Sequence, residues 1–255
     1  MKISVVTTTY NCVMTIADCL SSVEGQSYAD REHVVIDGGS TDGTLEVLRG
    51  RRDQLAVLVS ESDGGTYFGL NKGIARASGD VIGMLHGDDV YADAEVLARV
   101  AEAFADPAVD AVYGDLVYVS KDDTGRVIRR WRAGAYRPER LRWGWMPPHP
   151  TLFLRRSLYE RFGGFDTRYC IAADYDLMLR MLTQLSGRVV YLPALLVRMR
   201  LGGISNRSLA KVLRKSWEDY RALRANGVGG VAALIWKNLS KLPQFFRKAP
   251  KHNGT

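Results

Sequence analysis

Asp37, Asp63 and Asp89 stand at equal intervals of 26 residues, each at or just past the end of an apolar, strand-like run. The runs are residues 34–36, 55–59 and 81–85. A carboxylate in such a place can accept hydrogen bonds from ribose hydroxyls or a ring N–H, or hold a divalent cation against a diphosphate. The set suits a nucleotide or a nucleotide sugar. Asp88-Asp89 is the sharpest pair, because two adjacent carboxylates repel and Mg²⁺ or Mn²⁺ relieves that repulsion with hard oxygen ligands. Asp89 also suits the N-cap of a helix beginning near Ala92.

Asp37 and Asp42 flank a Gly-Gly-Ser-Thr turn, where glycine lets the backbone approach a ligand closely. Asp63-Gly64-Gly65 repeats the arrangement. Ala173-Asp174-Tyr175-Asp176 opens a helix: one carboxylate can cap it while the other faces a cleft as general base toward a hydroxyl. Both also fit as plain N-terminal acids favoured by the helix dipole. His149 lies between prolines and follows Trp143 and Trp145, a combination suited to stacking on a sugar ring and orienting its hydroxyls.

The elements that must position these residues alternate. Strands are expected at 3–8, up to Asp37, up to Ser60 and up to Leu85. Helices are expected at 15–23, 45–49 with Ser40 or Thr41 as N-cap, 67–77 closed by Gly79, and 94–104. Fully apolar runs between helices predict parallel strands buried on both faces. Ligands then bind at the carboxyl ends, so the acidic loops share one edge. The fold class is α/β, a Rossmann-like doubly wound, mostly parallel sheet with flanking helices and a helical C-terminal tail.

Beyond Pro107 the pattern loosens. Residues 111–113 and 116–118 read as two strand pieces around Gly114-Asp115. Residues 143–150, rich in proline, read as a non-helical loop, exposed or lining a cleft. Helices are expected at 158–162, at 175–185 and from Ser208 onward.

The chain has 255 residues, 46% of them hydrophobic, enough for one large α/β domain with an appendage. Three cysteines without paired or metal-ligand spacing fit a reducing compartment. Met1-Lys2-Ile3-Ser4-Val5-Val6 enters a strand directly, without signal-peptide anatomy, which points to the cytoplasm. The net charge of +7 is concentrated. Between Arg207 and Lys251, eleven Lys/Arg face only Glu218 and Asp219, giving +9 there and −2 elsewhere. A second basic stretch runs from Arg126 to Arg142.

The tail's longest apolar stretch, 228–236, is far short of the ~20 residues that span a bilayer. Ile235, Trp236, Leu239, Leu242, Phe245 and Phe246 form an apolar stripe among lysines and arginines. Such a segment can lie on an anionic membrane surface or pack on the domain with a solvated basic face. No nucleic-acid-binding motif is present.

Taken together the motifs resemble those of family 2 glycosyltransferases with the GT-A fold. The resemblance runs from Val5-Val6-Thr7-Thr8-Thr9-Tyr10-Asn11 through Asp37-Gly38-Gly39-Ser40-Thr41-Asp42-Gly43 and Asp63-Gly64-Gly65-Thr66-Tyr67. It continues through Leu70-Asn71-Lys72-Gly73, His86-Gly87-Asp88-Asp89, His149-Pro150-Thr151 and Gly163-Gly164-Phe165-Asp166. Ala173-Asp174-Tyr175-Asp176 and Gly202-Gly203-Ile204-Ser205 complete it, over roughly residues 3–206. It implies inverting transfer from a nucleotide-diphosphate sugar, most simply a UDP-sugar. The acceptor would be a glycan or lipid-linked sugar in surface polysaccharide or glycolipid synthesis.

Carried over, Thr8, Tyr10, Asp37 and Asp63 would hold the nucleoside, with Asp63 near the base. Asp88 would face ribose and donor sugar. Asp89 would bind Mn²⁺ or Mg²⁺, and Arg198 or Arg200 would hold the diphosphate. Asp174 would be the base, with Asp176 its rival, and Trp143, Trp145 and His149 would meet the acceptor. The implied organisation is a GT-A catalytic domain over 1–206, divided at 105 into nucleotide-binding and acceptor-binding halves, then a basic helical extension over 207–255. The implied place is the cytoplasm, or the inner face of the cell membrane.

Two departures stand out. The family's metal motif is often Asp-x-Asp, and Gly87 occupies its first position here. The residue before the base is often acidic or small and polar, and here it is Ala173. Rival readings lack support: a sugar nucleotidyltransferase needs a glycine-rich phosphate loop after the first strand, and a dehydrogenase needs GxGxxG. A sugar-nucleotide-binding module without turnover would be indifferent to replacement of Asp174.

Overall fold

The computed structural model describes residues 1–202 and 209–239. The Gly203-Ile204-Ser205 part of the expected motif lies outside the described residues, as do Leu242, Phe245 and Phe246 of the expected stripe. The first half is β1 (Ile3–Thr9), α1 (Ile16–Glu24), β2 (Arg31–Asp37), α2 (Thr44–Gly50), β3 (Val57–Ser60), α3 (Thr66–Arg76) and β4 (Val81–Met84). After β5 (Val90–Tyr91) and α4 (Val96–Phe104) come β6 (Val109–Val119), β7 (Val127–Trp131), α5 (Pro138–Leu141), β8 (Phe153–Arg155), α6 (Arg156–Phe162), α7 (Ala173–Leu182) and β9 (Arg188–Arg200). Two helices follow, α8 (Leu209–Ala225) and α9 (Val231–Leu239).

One sheet carries the molecule in the order β3-β2-β1-β4-β8-β6-β9-β5, with β7 on β6. The four strands β3, β2, β1 and β4 are parallel, as expected. Side chains alternate across a strand, and the apolar runs use both faces. Val6, Val34, Ile36, Ile82 and Met84 enter one core with α3 and α7. Ile3, Val5, Val35, Val81 and Leu85 enter the other with α1 and α4. Each fully buried branched side chain contributes about 1.5–3 kcal/mol, which is why these strands contain no polar alternation.

Several local expectations give way to the structure. Neither Ser40 nor Thr41 caps α2. The helix begins at Thr44 after Gly43 at φ +97°, and Asp42 takes the capping role by accepting from the Thr44 N–H at 3.0 Å. Gly79 does not close α3, which ends at Arg76. A Cβ there would stand 2.6 Å from Ser4 Oγ and 2.7 Å from the Lys2 carbonyl, so Gly79 serves close approach to β1. The two strand pieces around Gly114 are one strand, β6, with a bulge at Asp115. Gly114 persists because a Cβ would meet Leu196 at 2.6 Å. The 143–150 loop includes a 3₁₀ turn, His149–Thr151, with Pro150 at its tolerated early position.

The described part of the C-terminal segment packs on the domain. Lys237 of α9 is buried, its ammonium 2.8 Å from buried Asp219 of α8 and 3.1 Å above the Tyr175 ring centroid in α7. No described helix is long and apolar enough to cross a membrane.

Candidate active site

The carboxyl ends of β1, β2 and β4 meet at one edge, because β1 lies between the other two in parallel register. Asp37 ends β2 fully buried, and its role there is local. One oxygen accepts from the Gly39 and Ser40 N–H groups at 3.2 and 3.0 Å and from Ser60 Oγ at 2.6 Å. The other accepts from Ser40 Oγ. Four donors brace the turn and leave little capacity for a ligand.

Around that turn a small cradle forms. A Cβ on Gly38 would stand 3.5 Å from the Tyr10 ring and 3.6 Å from Asp63 Oδ1. One on Gly69 would stand 3.1 Å from the Thr8 methyl and 3.2 Å from Asp63 Oδ2. Thr8, Tyr10 and Asp63 thus converge on two glycines that keep the space open. Tyr10 is exposed. Asp63 accepts from the Gly65 N–H at 2.8 Å, with Lys72 Nζ 4.0 Å away.

Thr8 also connects to the next loop, since its hydroxyl is 3.1 Å from His86 Nδ1. His86 precedes Gly87-Asp88-Asp89. A Cβ on Gly87 would stand 2.8 Å from Thr9 Oγ1 and 2.9 Å from Thr9 Cβ, so the fold excludes an aspartate at the first position of an Asp-x-Asp motif. Gly87→Ala is expected to lower stability by about 1–3 kcal/mol through overpacking, read as a drop in thermal midpoint. An unchanged midpoint would mean that Thr9 yields freely.

Asp89 is buried. Its Oδ1 accepts from the Arg200 N–H at 3.1 Å, and its Oδ2 has no partner among the described residues. Burial and the neighbouring Asp88 charge push its carboxyl well above the ordinary carboxylate range, against the opposing pull of Arg200. An unpartnered buried oxygen beside a second, half-buried carboxylate fits a hard divalent cation, whose remaining ligands would be diphosphate and water oxygens. Arg200, also buried, is committed to this loop. It donates to the Asp88 carbonyl at 2.9 Å, the Lys121 carbonyl at 3.1 Å and Asp18 at 2.5 Å. Arg198 pairs with Val90 in the ladder and donates to the Thr124 carbonyl at 3.2 Å.

The second half supplies the facing wall. Asp174 lies in the first turn of α7, half-buried, accepting from the Tyr175 N–H at 2.8 Å and lying 3.4 Å from the Tyr67 hydroxyl. Asp176 is buried and spoken for: Arg180 is 3.2 Å from one oxygen, and Asn226 donates to the other at 3.0 Å. His149 is buried, its ring 6.1 Å from that of His86 and edge-on to Phe165. Burial pulls His149 down to about 4, against the Asp174 charge. His86 is likewise lowered by burial, while Asp88 and Asp174 both pull it upward. One imidazole therefore lies within the field of the Asp88-Asp89 loop and of the α7 carboxylate.

Trp145 packs half-buried against Tyr113 and Tyr136, its indole N–H donating to the Ala133 carbonyl at 3.2 Å. Trp143 is exposed and pairs edge-on with Trp236 of α9. Two residues that sequence reasoning passed over hold the wall in place. Asn71 exchanges two hydrogen bonds of 2.8 Å with the Phe165 backbone, joining α3 to the loop before α7. Glu218 of α8 accepts from the N–H groups of Cys170, Ile171 and Ala172 at 3.1, 2.7 and 3.0 Å. An acid in an otherwise basic segment was the only signal for Glu218.

A parallel-stranded α/β core with carboxylate loops at its strand ends, closed by a mixed second half, is the GT-A glycosyltransferase architecture. The chain belongs to glycosyl transferase family 2, whose model matches residues 4–163. An uncharacterized glycosyltransferase of Mycobacterium tuberculosis is 34% identical over 186 residues, covering 70% of this chain and 68% of that one. A PGL/p-HBAD biosynthesis glycosyltransferase of Mycobacterium bovis is 30% identical over 217 residues, covering 83% and 82%.

Among solved structures, S. aureus TarS 1–349 in complex with UDP-GlcNAc superposes with a TM-score of 0.70 at 20% identity, over 89% of this chain and 66% of that one. The chain spans 39% of the longer TarS chain. The mannosyltransferase PcManGT from Pyrobaculum calidifontis, in complex with GDP-Man and Mn²⁺, gives 0.66 at 21% identity over 96% and 71%. These structural likenesses show the fold.

Proposed function

We propose that the chain is an inverting glycosyltransferase that takes a sugar from a UDP-sugar to a hydroxyl of a glycan or lipid-linked acceptor, in the synthesis of surface polysaccharide or glycolipid. The observation that carries this reading is His86, bonded to Thr8 on the nucleoside side and 6.1 Å ring to ring from His149 of the second half, at the head of the loop where buried Asp89 Oδ2 has no partner among the described residues. That contact between the two halves supports a single site shared by the donor-side and base-side carboxylates. The TarS and PcManGT complexes hold UDP-GlcNAc and GDP-Man respectively, and the M. bovis relative is named for PGL/p-HBAD biosynthesis. The complexes support a nucleotide-sugar donor, and the relative's name supports a role in biosynthesis.

Thr8, Tyr10 and Asp63 cradle the nucleoside, while Asp37 shapes their loop. Asp89, with Asp88 beside it, would hold Mn²⁺ or Mg²⁺, which supplies charge neutralisation to the diphosphate. Arg200 fixes this carboxylate loop rather than reaching a phosphate, which leaves Arg198 as the diphosphate candidate. Asp174 takes the proton from the acceptor hydroxyl as that oxygen bonds to the anomeric carbon. The bond from that carbon to the diphosphate oxygen breaks on the opposite face, and the nucleoside diphosphate leaves with the electron pair. His149 stays neutral across physiological pH and orients the acceptor. Alignment of two substrates in one cleft supplies much of the rate.

Calorimetric titration with UDP, GDP, dTDP and CMP, with Mn²⁺ and with chelator, tests the reading. Tight Mn²⁺-dependent binding of UDP is expected, weakened roughly 100-fold or more in Asp89→Asn, beyond the 10–100-fold typical of outer-shell changes. Binding of GDP alone would move the donor class. No binding of any nucleotide would sink the proposal.

A further inference from the structure

Helix α9 is inside out. Its buried face presents Ala233 and Lys237, the lysine held by Asp219 and Tyr175. Its outward face presents Val231, Ile235 and Trp236, each more than half exposed. Trp143, 55% exposed, extends the same apolar surface through its edge-on contact with Trp236, 6.1 Å between ring centroids. The surface is built rather than incidental. α9 sits so close on Gly144 that a Cβ there would stand 2.4 Å from Lys237 Cβ, fixing Trp143 beside Trp236.

Charge on the neighbouring elements is sorted the opposite way. Both acids of α8, Glu218 and Asp219, are buried, whereas Arg221 and Arg224 are exposed and Arg214, also exposed, is paired with Glu218. Arg140 and Arg142, both exposed, precede Trp143 in the chain, and the Arg142 carbonyl lies beside Gly229 in the turn before α9. An apolar, tryptophan-bearing face among exposed arginines, with both acids of α8 withdrawn and Glu139 the one exposed acid between Arg137 and Arg142, matches the interface of an anionic bilayer, where indoles sit at headgroup depth. A second copy of the chain fits poorly, since the arginine rims would repel each other.

We propose that Trp143, Val231, Ile235 and Trp236 insert into an anionic membrane surface, with Arg140 and Arg142 on its headgroups. The inference deepens the lipid-linked-acceptor reading by giving the surface that brings the enzyme to such an acceptor. Vesicle binding requires no turnover, so the two fail separately.

The test is flotation of the full chain with phosphatidylcholine vesicles, with and without phosphatidylglycerol. Binding is expected only to the anionic vesicles. Replacing Ile235 and Trp236 together by serine is expected to weaken partitioning roughly tenfold or more, since bilayer affinity follows buried apolar area. Arg140→Ala with Arg142→Ala is expected to weaken it and to flatten its salt dependence. Matched circular dichroism and thermal midpoints establish that the variants fold. Independently, brominated lipid is expected to quench wild-type indole emission. The proposal is overturned by no flotation of the wild type, by flotation of the serine variant equal to wild type, or by binding without quenching. A concentration-dependent dimer abolished by Trp236→Ser would overturn it in favour of a second copy.

Discussion

Asp174→Asn is expected to lower turnover by roughly 10²–10⁴-fold, the usual contribution of a positioned general base, while UDP affinity stays within about twofold. Asparagine keeps the size of the side chain and its approach to the Tyr67 hydroxyl, which lies 3.4 Å from Asp174 Oδ1 and donates to the Ile171 carbonyl at 2.7 Å. Burial and the Asp174 charge push the Tyr67 phenol up, so it remains a donor across the working range. What asparagine loses is the basic oxygen. Asp176→Asn supplies the contrast, because both its oxygens are engaged by Arg180 and Asn226. It should cost about 1–3 kcal/mol of stability and leave turnover per folded molecule largely intact. Steady-state kinetics beside thermal melts separates the two. Full turnover in Asp174→Asn with loss in Asp176→Asn would exchange their roles.

The donor half was legible because its physics is local. The apolar runs before Asp37, Asp63 and Asp89 read directly as parallel strands, and the structure places them so, although β3, before Asp63, lies at the sheet edge and is only half-buried where burial on both faces was expected. The second half was less legible because its strands are defined by their partners. β9 runs for 13 residues beside β6, yet Pro193 in its middle argues against a strand. The ladder tolerates it because the register shifts between Tyr113 and Asp115 of β6, opposite that proline. β5, only two residues long, exists through its pairing with Val197 and Arg198.

The chemistry shows the same division. Asp174 and Asp176 are indistinguishable by spacing, and Arg180 one turn on together with Asn226, 50 residues away, marks Asp176 as engaged. Asp37 reads as a ligand group from its strand-end position, but the donors that occupy it come from Ser40 and from Ser60 on the next strand. The departure at Gly87 likewise acquires a cause only once Thr9 is seen against it.

Glu218→Gln is expected to remove most turnover at nearly unchanged UDP affinity, and to lower stability by about 3–5 kcal/mol, the cost of breaking a buried charged network. The carboxylate is only 3% exposed and has donors on both oxygens: the Cys170 N–H and Arg214 on one, the Ile171 and Ala172 N–H groups on the other. Glutamine keeps one acceptor and turns an NH₂ toward groups that are themselves donors, so at least one N–H is left facing a donor. Those three peptides lead directly into α7, two residues before Asp174, and nucleoside-binding groups lie on other elements. A displaced base lowers kcat, whereas the donor cradle around Gly38 and Gly69 is untouched.

The pH dependence has a definite sign. Burial pushes the Glu218 carboxyl up, but the three N–H groups and Arg214 outweigh it, so its folded value lies below the ordinary one. Stability from this group is therefore complete above the unfolded carboxylate value, near 4.3, and is lost as pH falls through that range. Glu218→Gln should melt lower at neutral pH and show less acid sensitivity, because its midpoint no longer depends on that ionisation. A variant with a wild-type melting profile and wild-type kcat would mean that α8 does not hold the base loop. Loss of UDP binding together with kcat would mean that the damage spreads through the whole fold.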